Sequence, residues 1–179
     1  MDVLSFALIQ QNPAAMCPPE IFDRLVAVPV RFFNFERRKT GGFIVVDHAL
    51  ADDVRGLFDE VIFPQRFPIA SAIPVSFAPI LFDDDRSMAL NNTSGFNYRS
   101  IAGTKRLSRH ARGRALDINP RLNPCIKDGI AQPPGVTYVP TRRGTLTAES
   151  PVVKYLKMRG WTWGGDWISF KDYQHFEKF

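Results

Sequence analysis

One segment of the chain carries apolar residues at helical spacing. A short β-rich run, Phe43–Val46, comes first, and Asp47 follows it as a candidate helix cap. Apolar residues then recur at steps of three and four, which predicts an amphipathic helix with one face on the core. These residues are Leu50, Val54, Leu57, Phe58 and Val61.

A second segment alternates with a period of two. In Ala115–Asn119, Leu116 and Ile118 point to one face while Asp117 points to the other, as in a half-buried strand. A polar site can therefore lie on one face of a sheet. Two further strands are expected at Phe96–Arg99 and Tyr173–Phe176.

Proline and glycine divide the rest of the chain. Residues 1–40 contain four prolines and are expected to form an irregular arm, with one compact domain over residues 41–179. The Pro- and Gly-rich stretch 120–149 is a candidate lid, because long loops are usually functional. Ser150 and Pro151 predict the start of a helix that runs to Arg159 and ends at Gly160.

Composition excludes some classes of protein. With 179 residues, 45% of them apolar, the chain can bury one core, and it has no apolar run long enough to span a bilayer. The net charge of +5 suits an anionic partner, but the scattered basic residues do not predict a nucleic-acid face. Met1–Gln10 does not predict a signal peptide, because this segment has no basic residues before its apolar stretch. The two cysteines, Cys17 and Cys125, are compatible either with a disulfide or with two separate thiols.

Two of the three histidines lie beside carboxylates. His110 occurs in SRHARGRALD, which ends at Asp117, and His175 occurs in KDYQHFE. Two imidazoles and one carboxylate suit Zn²⁺, and three protein ligands leave a fourth position for water. Gly113 permits the bend that brings His110 back to Asp117. The alternative is a pair of structural His–Asp contacts.

The spaced residues SxHxxGxAxD resemble the motif of a known peptidase family. This family contains VanY-type D-alanyl-D-alanine carboxypeptidases, D-alanyl-D-alanine dipeptidases and phage L-alanyl-D-glutamate endopeptidases. The blocks NNTSGFNYR, GWTWGGDW and DYQHFE are also similar to this family. The residues that match the spaced pattern are Ser108, His110, Gly113, Ala115 and Asp117.

The resemblance implies a fold, a cofactor and residue roles. We expect an α+β domain, similar to the hedgehog and D-Ala-D-Ala peptidase folds, whose small antiparallel sheet carries one zinc ion per chain, with helices packed on one side. His110, Asp117 and His175 would be the ligands, Asp172 the general base and Arg99 the partner of an anionic substrate group. Asp172 and His175 lie three residues apart, so both can reach the metal only if the chain bends between them.

The resemblance also implies a peptidoglycan stem peptide as substrate. We expect a carboxypeptidase of the D-alanyl-D-alanine type, with an endopeptidase as the alternative. A zinc-bearing binding module without catalysis is a rival of another class, and a metal-dependent nuclease using Asn119 or Asn123 is a weaker one.

The acidic run fits a solvated helix cap better than a functional site; it consists of Asp83, Asp84 and Asp85. Trp161, Trp163 and Trp167 fit a core at least as well as a pocket. Localisation and oligomeric state are left open.

Overall fold

The computed structural model describes residues 9–10 and 12–179. Met1–Gln10, considered above as a candidate signal segment, therefore lies almost wholly outside the described residues. The fold class is α+β, as expected, but the strands form three small antiparallel sheets rather than one. The strands are β1 (Leu25–Phe33), β2 (Lys39–Asp47), β3 (Ala115–Asp117), β4 (Cys125–Lys127), β5 (Ile130–Gln132), β6 (Thr162–Trp163), β7 (Lys171–Asp172) and β8 (His175–Glu177).

The helices are short. They are α1 (Pro19–Phe22), α2 (Ala51–Gly56), α3 (Asp84–Ala89) and α4 (Pro151–Met158). Three 3₁₀ turns, at His48–Leu50, His110–Arg112 and Gly164–Asp166, and a π-helical segment, Leu57–Ile62, complete them. Within the described part of the chain, none of these helices has the length and apolar character that a bilayer span requires.

The first sheet is a hairpin of β1 and β2, which pair over their whole lengths. This corrects the expectation of irregular backbone up to residue 40, because Leu25–Phe33 is a strand. Val28 and Phe32 are buried while Pro29 and Arg31 are exposed, so the segment does have a period of two. Pro29 obscured it, although a two-stranded sheet tolerates proline, since each strand is an edge.

The predicted amphipathic helix is present in three pieces. The Asp47 side chain accepts a hydrogen bond from the backbone nitrogen of Ala49 at 2.9 Å, as expected of a cap. The 3₁₀ turn, α2 and the π-helical segment then follow without a break. Its apolar residues lie in the main core, which also receives β3, α4 and the indole rings of Trp161 and Trp163.

Helix α4 begins and ends where the sequence predicts. Pro151 is its first residue, and Gly160 follows its C-cap with φ of 82°. Ser150 holds the cap position without bonding the helix itself, because its hydroxyl accepts from the backbone nitrogen of Thr147 at 2.8 Å.

The second and third sheets, β3-β8-β6 and β5-β4-β7, lie in the C-terminal half of the chain. The long stretch 120–149 is therefore not structureless, since β4 and β5 form a hairpin within it. β4 also pairs with β7, where Cys125 lies opposite Asp172. The stretch thus supports the strand that ends at Asp172.

Candidate metal site

His110 begins a 3₁₀ turn that ends at a glycine. Gly113 follows the turn with φ of 64°, and its carbonyl accepts a hydrogen bond from the backbone nitrogen of Asp47 at 2.9 Å. A β-carbon at Gly113 would lie 2.5 Å from that same nitrogen. Only glycine meets both requirements, the left-handed backbone and the close approach. The bend that the sequence predicts is thus present.

Asp117 and His175 lie directly opposite each other on β3 and β8. Residues opposite in an antiparallel pair point to the same face, so the two side chains meet. Their neighbours Leu116 and Phe176 are also paired, point to the other face and are fully buried. The strand adjacency that the site requires is confirmed.

Three side chains converge at this point. His110 Nε2 lies 3.1 Å from Asp117 Oδ2, and His175 Nδ1 lies 3.1 Å from Asp117 Oδ1. The two ring nitrogens are 3.2 Å apart. Tetrahedral ligands at ordinary zinc distances are about 3.3 Å from one another. These side chains could therefore hold one metal ion with little movement.

The outer nitrogens of both imidazoles are also bonded. His110 Nδ1 donates to the carbonyl oxygen of Gly95, and His175 Nε2 donates to Glu177 Oε2 at 3.4 Å. Each bond fits a proton on the outer nitrogen, so that the inner nitrogen could bind a cation once it has lost its own proton, as in metal-bound histidines. Glu177 thereby orients His175.

The electrostatics of the cluster favour a cation. Burial opposes ionisation of Asp117, but the His110 and His175 imidazoles outweigh it and hold the pKa of that carboxyl well below its usual range. Burial likewise opposes the charged form of His175, yet the carboxylates of Asp117 and Glu177 raise the pKa of His175 to about 10. A positive charge between these groups is therefore strongly stabilised.

Asp172 reaches the same region because the chain turns. β7 ends at Asp172, Tyr173 and Gln174 form a turn, and β8 begins at His175. The expected single strand Tyr173–Phe176 is therefore wrong in its first half, since a continuous strand would point Asp172 and His175 to opposite faces. The bend that the predicted roles require is present.

The Asp172 carboxyl has an unsatisfied oxygen. Its Oδ1 is buried and has no hydrogen-bond partner among the described residues. Burial raises the pKa of Asp172 to about 6, although the His175 charge acts in the opposite direction. Buried polar atoms are usually bonded, so this oxygen can accept a proton or a hydrogen bond from a bound ligand.

Arg99 lies outside the cluster and pairs with an acid. Its guanidinium lies 2.8 Å from Asp84 Oδ2, while its Nε is buried with no partner among the described residues. The predicted strand Phe96–Arg99 is absent. The backbone of residues 96–99 does not pair with a single strand. The Phe96 backbone nitrogen donates a hydrogen bond to the Val45 carbonyl, and the Asn97 backbone nitrogen donates one to the His110 carbonyl.

Asp84 is a residue whose role sequence reasoning missed. Its other oxygen accepts from Asn97 Nδ2 at 3.1 Å, so it is fixed between two cleft residues. Asp83, by contrast, caps α3 by accepting from the backbone nitrogen of Arg86, as expected. Nothing in three consecutive aspartates distinguishes these two roles.

Other candidate residues serve the fold. Trp161 and Trp163 are buried in the core, whereas the Trp167 ring centroid lies 5.5 Å from that of His175. Asn119 and Asn123 are fully buried, and both amides donate to the Gly144 carbonyl at 3.2 Å. Both asparagines are structural, so they no longer support the alternative that the chain is a metal-dependent nuclease. No disulfide joins Cys17 to Cys125.

The fold and the site together define an α+β protein with a buried cluster that could hold one metal ion. Residues 102–178 match the family described as D-alanyl-D-alanine carboxypeptidase. The resemblance to the VanY-type peptidase family is thereby confirmed over this segment, which covers less than half of the chain. It includes His110, Asp117, Asp172 and His175 and begins just after Arg99. The comparisons with curated proteins and with solved structures gave no match.

Proposed function

We propose that this protein is a zinc peptidase that hydrolyses an amide bond in bacterial peptidoglycan. The observation that carries the proposal is the cluster of His110, Asp117 and His175 side chains inside the segment that matches the peptidase family. Each imidazole lies 3.1 Å from a different oxygen of Asp117, and the two ring nitrogens are 3.2 Å apart. Two nitrogens and one oxygen suit zinc and leave a fourth position free. The substrate class follows from the family's description.

Zinc held there would polarise the scissile carbonyl and lower the pKa of the attacking water. Asp172 would take the proton that this water loses when it attacks the carbonyl carbon. It would then return the proton to the leaving amine as the C–N bond breaks, so that one carboxyl serves as base and as acid. A pKa raised by burial to about 6 suits a group that gains and loses a proton near neutrality.

Arg99 would bind an anionic group of the substrate. Its fixed donor fork suits a carboxylate, and its side chain is 30% exposed and therefore reachable. A terminal carboxylate is the group that a carboxypeptidase must recognise, so we favour D-alanyl-D-alanine carboxypeptidase activity over L-alanyl-D-glutamate endopeptidase activity. Asp84 would hold the guanidinium in place between substrates.

Metal content and peptide cleavage test this function together. We expect one zinc per chain and cleavage of a stem pentapeptide that ends in D-alanyl-D-alanine. His175→Ala should lose zinc, and Asp172→Asn should keep zinc while its cleavage rate falls by about 10²-fold or more. His48→Ala is a matched control, because His48 is exposed and distant in sequence from the site.

The products identify the bond. Release of D-alanine establishes the carboxypeptidase, whereas cleavage between L-alanine and D-glutamate in the same peptide establishes the endopeptidase. If the chain binds one zinc ion but cleaves neither bond, the proposed peptidase activity is contradicted and a zinc-bearing binding module is favoured.

A further inference from the structure

A second concave site lies apart from the metal cluster. It is an open surface pocket of about 370 Å³ whose lining includes Arg121, Arg142, Thr137, Phe35 and Leu122. None of the metal-cluster residues lines it. Its volume is in the range of small-ligand pockets.

The lining is cationic. Two arginines line the pocket, and no aspartate or glutamate does. Within residues 9–10 and 12–179, Arg142 has no carboxylate partner, and the Arg121 guanidinium donates only to the Ala89 carbonyl, at 3.2 Å. Both positive charges are thus available to a ligand. The Thr137 hydroxyl adds a neutral donor.

One side of the pocket is fixed before any ligand binds. The Arg121 backbone nitrogen donates to Asn91 Oδ1 at 2.8 Å, and Asn91 also lines the pocket. Gly144 lies beneath, where a β-carbon would come within 2.8 Å of the Phe35 ring. These contacts fix the backbone from which the Arg121 side chain extends, so less of the pocket must be ordered when an anion binds.

Three chain segments connect the pocket to the metal site. Arg121 follows Asp117 by four residues, so their Cα atoms are at most about 14 Å apart. Ser94, three residues after Asn91, exchanges two backbone hydrogen bonds with Asp117. Tyr138, next to Thr137, stacks on Tyr173 at 3.7 Å. The pocket and the metal cluster therefore lie close to each other in the fold.

We propose that this pocket binds an oxyanion carried by the cell-wall polymer, either a stem-peptide carboxylate or a polymer phosphate. The identity of the polymer rests on the proposed function, whereas the preference for an oxyanion rests on the two arginines. A planar guanidinium binds both kinds of oxyanion through paired N–H donors. The pocket would hold the polymer while the metal site acts on a peptide.

Amide chemical shifts can test this in the zinc-loaded full chain carrying Asp172→Asn, in which the peptide would stay intact. The probes are inorganic phosphate, a stem peptide with free carboxylates, and the same peptide with its carboxylates amidated. We expect saturable shifts at Gly135 and Thr137. Arg121→Gln with Arg142→Gln should weaken binding by about fivefold or more.

Arg143→Gln is the control for charge loss outside the pocket, because it removes one of the two charges that the double variant removes, from an exposed neighbour that does not line the pocket. Binding of phosphate alone assigns a phosphate-bearing polymer, and binding of the free peptide but not the amidated one assigns its carboxylates. Equal weakening by Arg143→Gln and by the double variant, or no saturable shift with any probe, overturns the proposal. Anion binding by the Asp172→Asn chain, together with no peptide cleavage by the zinc-loaded wild type, would overturn the proposed function alone.

Discussion

At the scale of single residues, two glycines with similar backbone angles have different surroundings. Gly103 has φ of 74° with nothing near a β-carbon, whereas Gly113 has φ of 64° and would meet the Asp47 backbone. An alanine at position 103 would therefore introduce backbone strain alone, whereas an alanine at position 113 would introduce backbone strain together with a steric clash.

We expect Gly103→Ala to lower the free energy of unfolding by about 1 kcal/mol. Gly113→Ala should lower it by about 2–4 kcal/mol and reduce metal affinity, because His110 is three residues away on the same turn. Urea unfolding and metal analysis of both variants measure these effects. Equal losses in the two variants would contradict the role of the close approach.

The ion pair between Asp84 and Arg99 gives a second prediction at this scale. Asp84→Asn removes the charge that orients the guanidinium, so KM should rise about 3- to 10-fold with little change in kcat, as for a lost binding interaction. Asp85→Asn is the control, since Asp85 is an exposed neighbour on the same helix. A lower KM in Asp84→Asn would instead mean that Asp84 competes with substrate for Arg99.

At the scale of elements, the turn between β7 and β8 decides whether Asp172 faces the site. Gly164, in the 3₁₀ turn after β6, lies against it. A β-carbon there would be 2.4 Å from the Asp172 carbonyl oxygen and 2.9 Å from its β-carbon. The position of the carboxyl thus depends on a glycine in a neighbouring element.

Gly164→Ala should therefore displace Asp172 while the three candidate metal ligands, His110, Asp117 and His175, stay in place. We expect cleavage to fall by about tenfold or more with zinc content unchanged. Gly160→Ala is the control for backbone strain without a steric clash, because Gly160 has φ of 82° but its β-carbon would meet only the Lys178 side chain, at 3.7 Å. Loss of zinc in Gly164→Ala would contradict a local displacement of Asp172.

At the scale of the whole molecule, Asp47 joins distant segments. Its carboxylate accepts two hydrogen bonds from Arg24 at 3.0 Å and lies 3.6 Å from Arg114. Burial opposes its ionisation, but the hydrogen bonds from Arg24 and Ala49 and the charge of Arg114 outweigh it and lower the pKa of Asp47.

A carboxyl whose pKa is lower in the folded state stabilises the fold above its unfolded pKa of about 4. That stability is lost as the pH falls through the lower folded pKa. The difference in unfolding free energy between the wild type and Asp47→Asn should thus be constant from pH 7 to 5 and shrink below pH 4. Urea titrations at several pH values measure it, and a difference that grows on acidification would reverse the assigned sign.

Residues that match a spaced pattern could be found from the sequence. His110, Asp117, His175 and Asp172 were all named in this way, and the structure brings the first three within bonding distance of one another. The period of two in β3 also predicted which face carries the site. Such features are local, because spacing along one strand or turn fixes side-chain direction.

The sequence by itself therefore identified the three residues of the candidate metal cluster, the helix that begins after Asp47 and the resemblance to the peptidase family. Tertiary structure alone decided that Asp84 rather than its neighbours meets Arg99 and that Arg121 and Arg142 share a pocket. The physical reason is that these contacts join residues far apart in the chain. Their partners are set by how the sheets and helices pack, and no local periodicity encodes that packing.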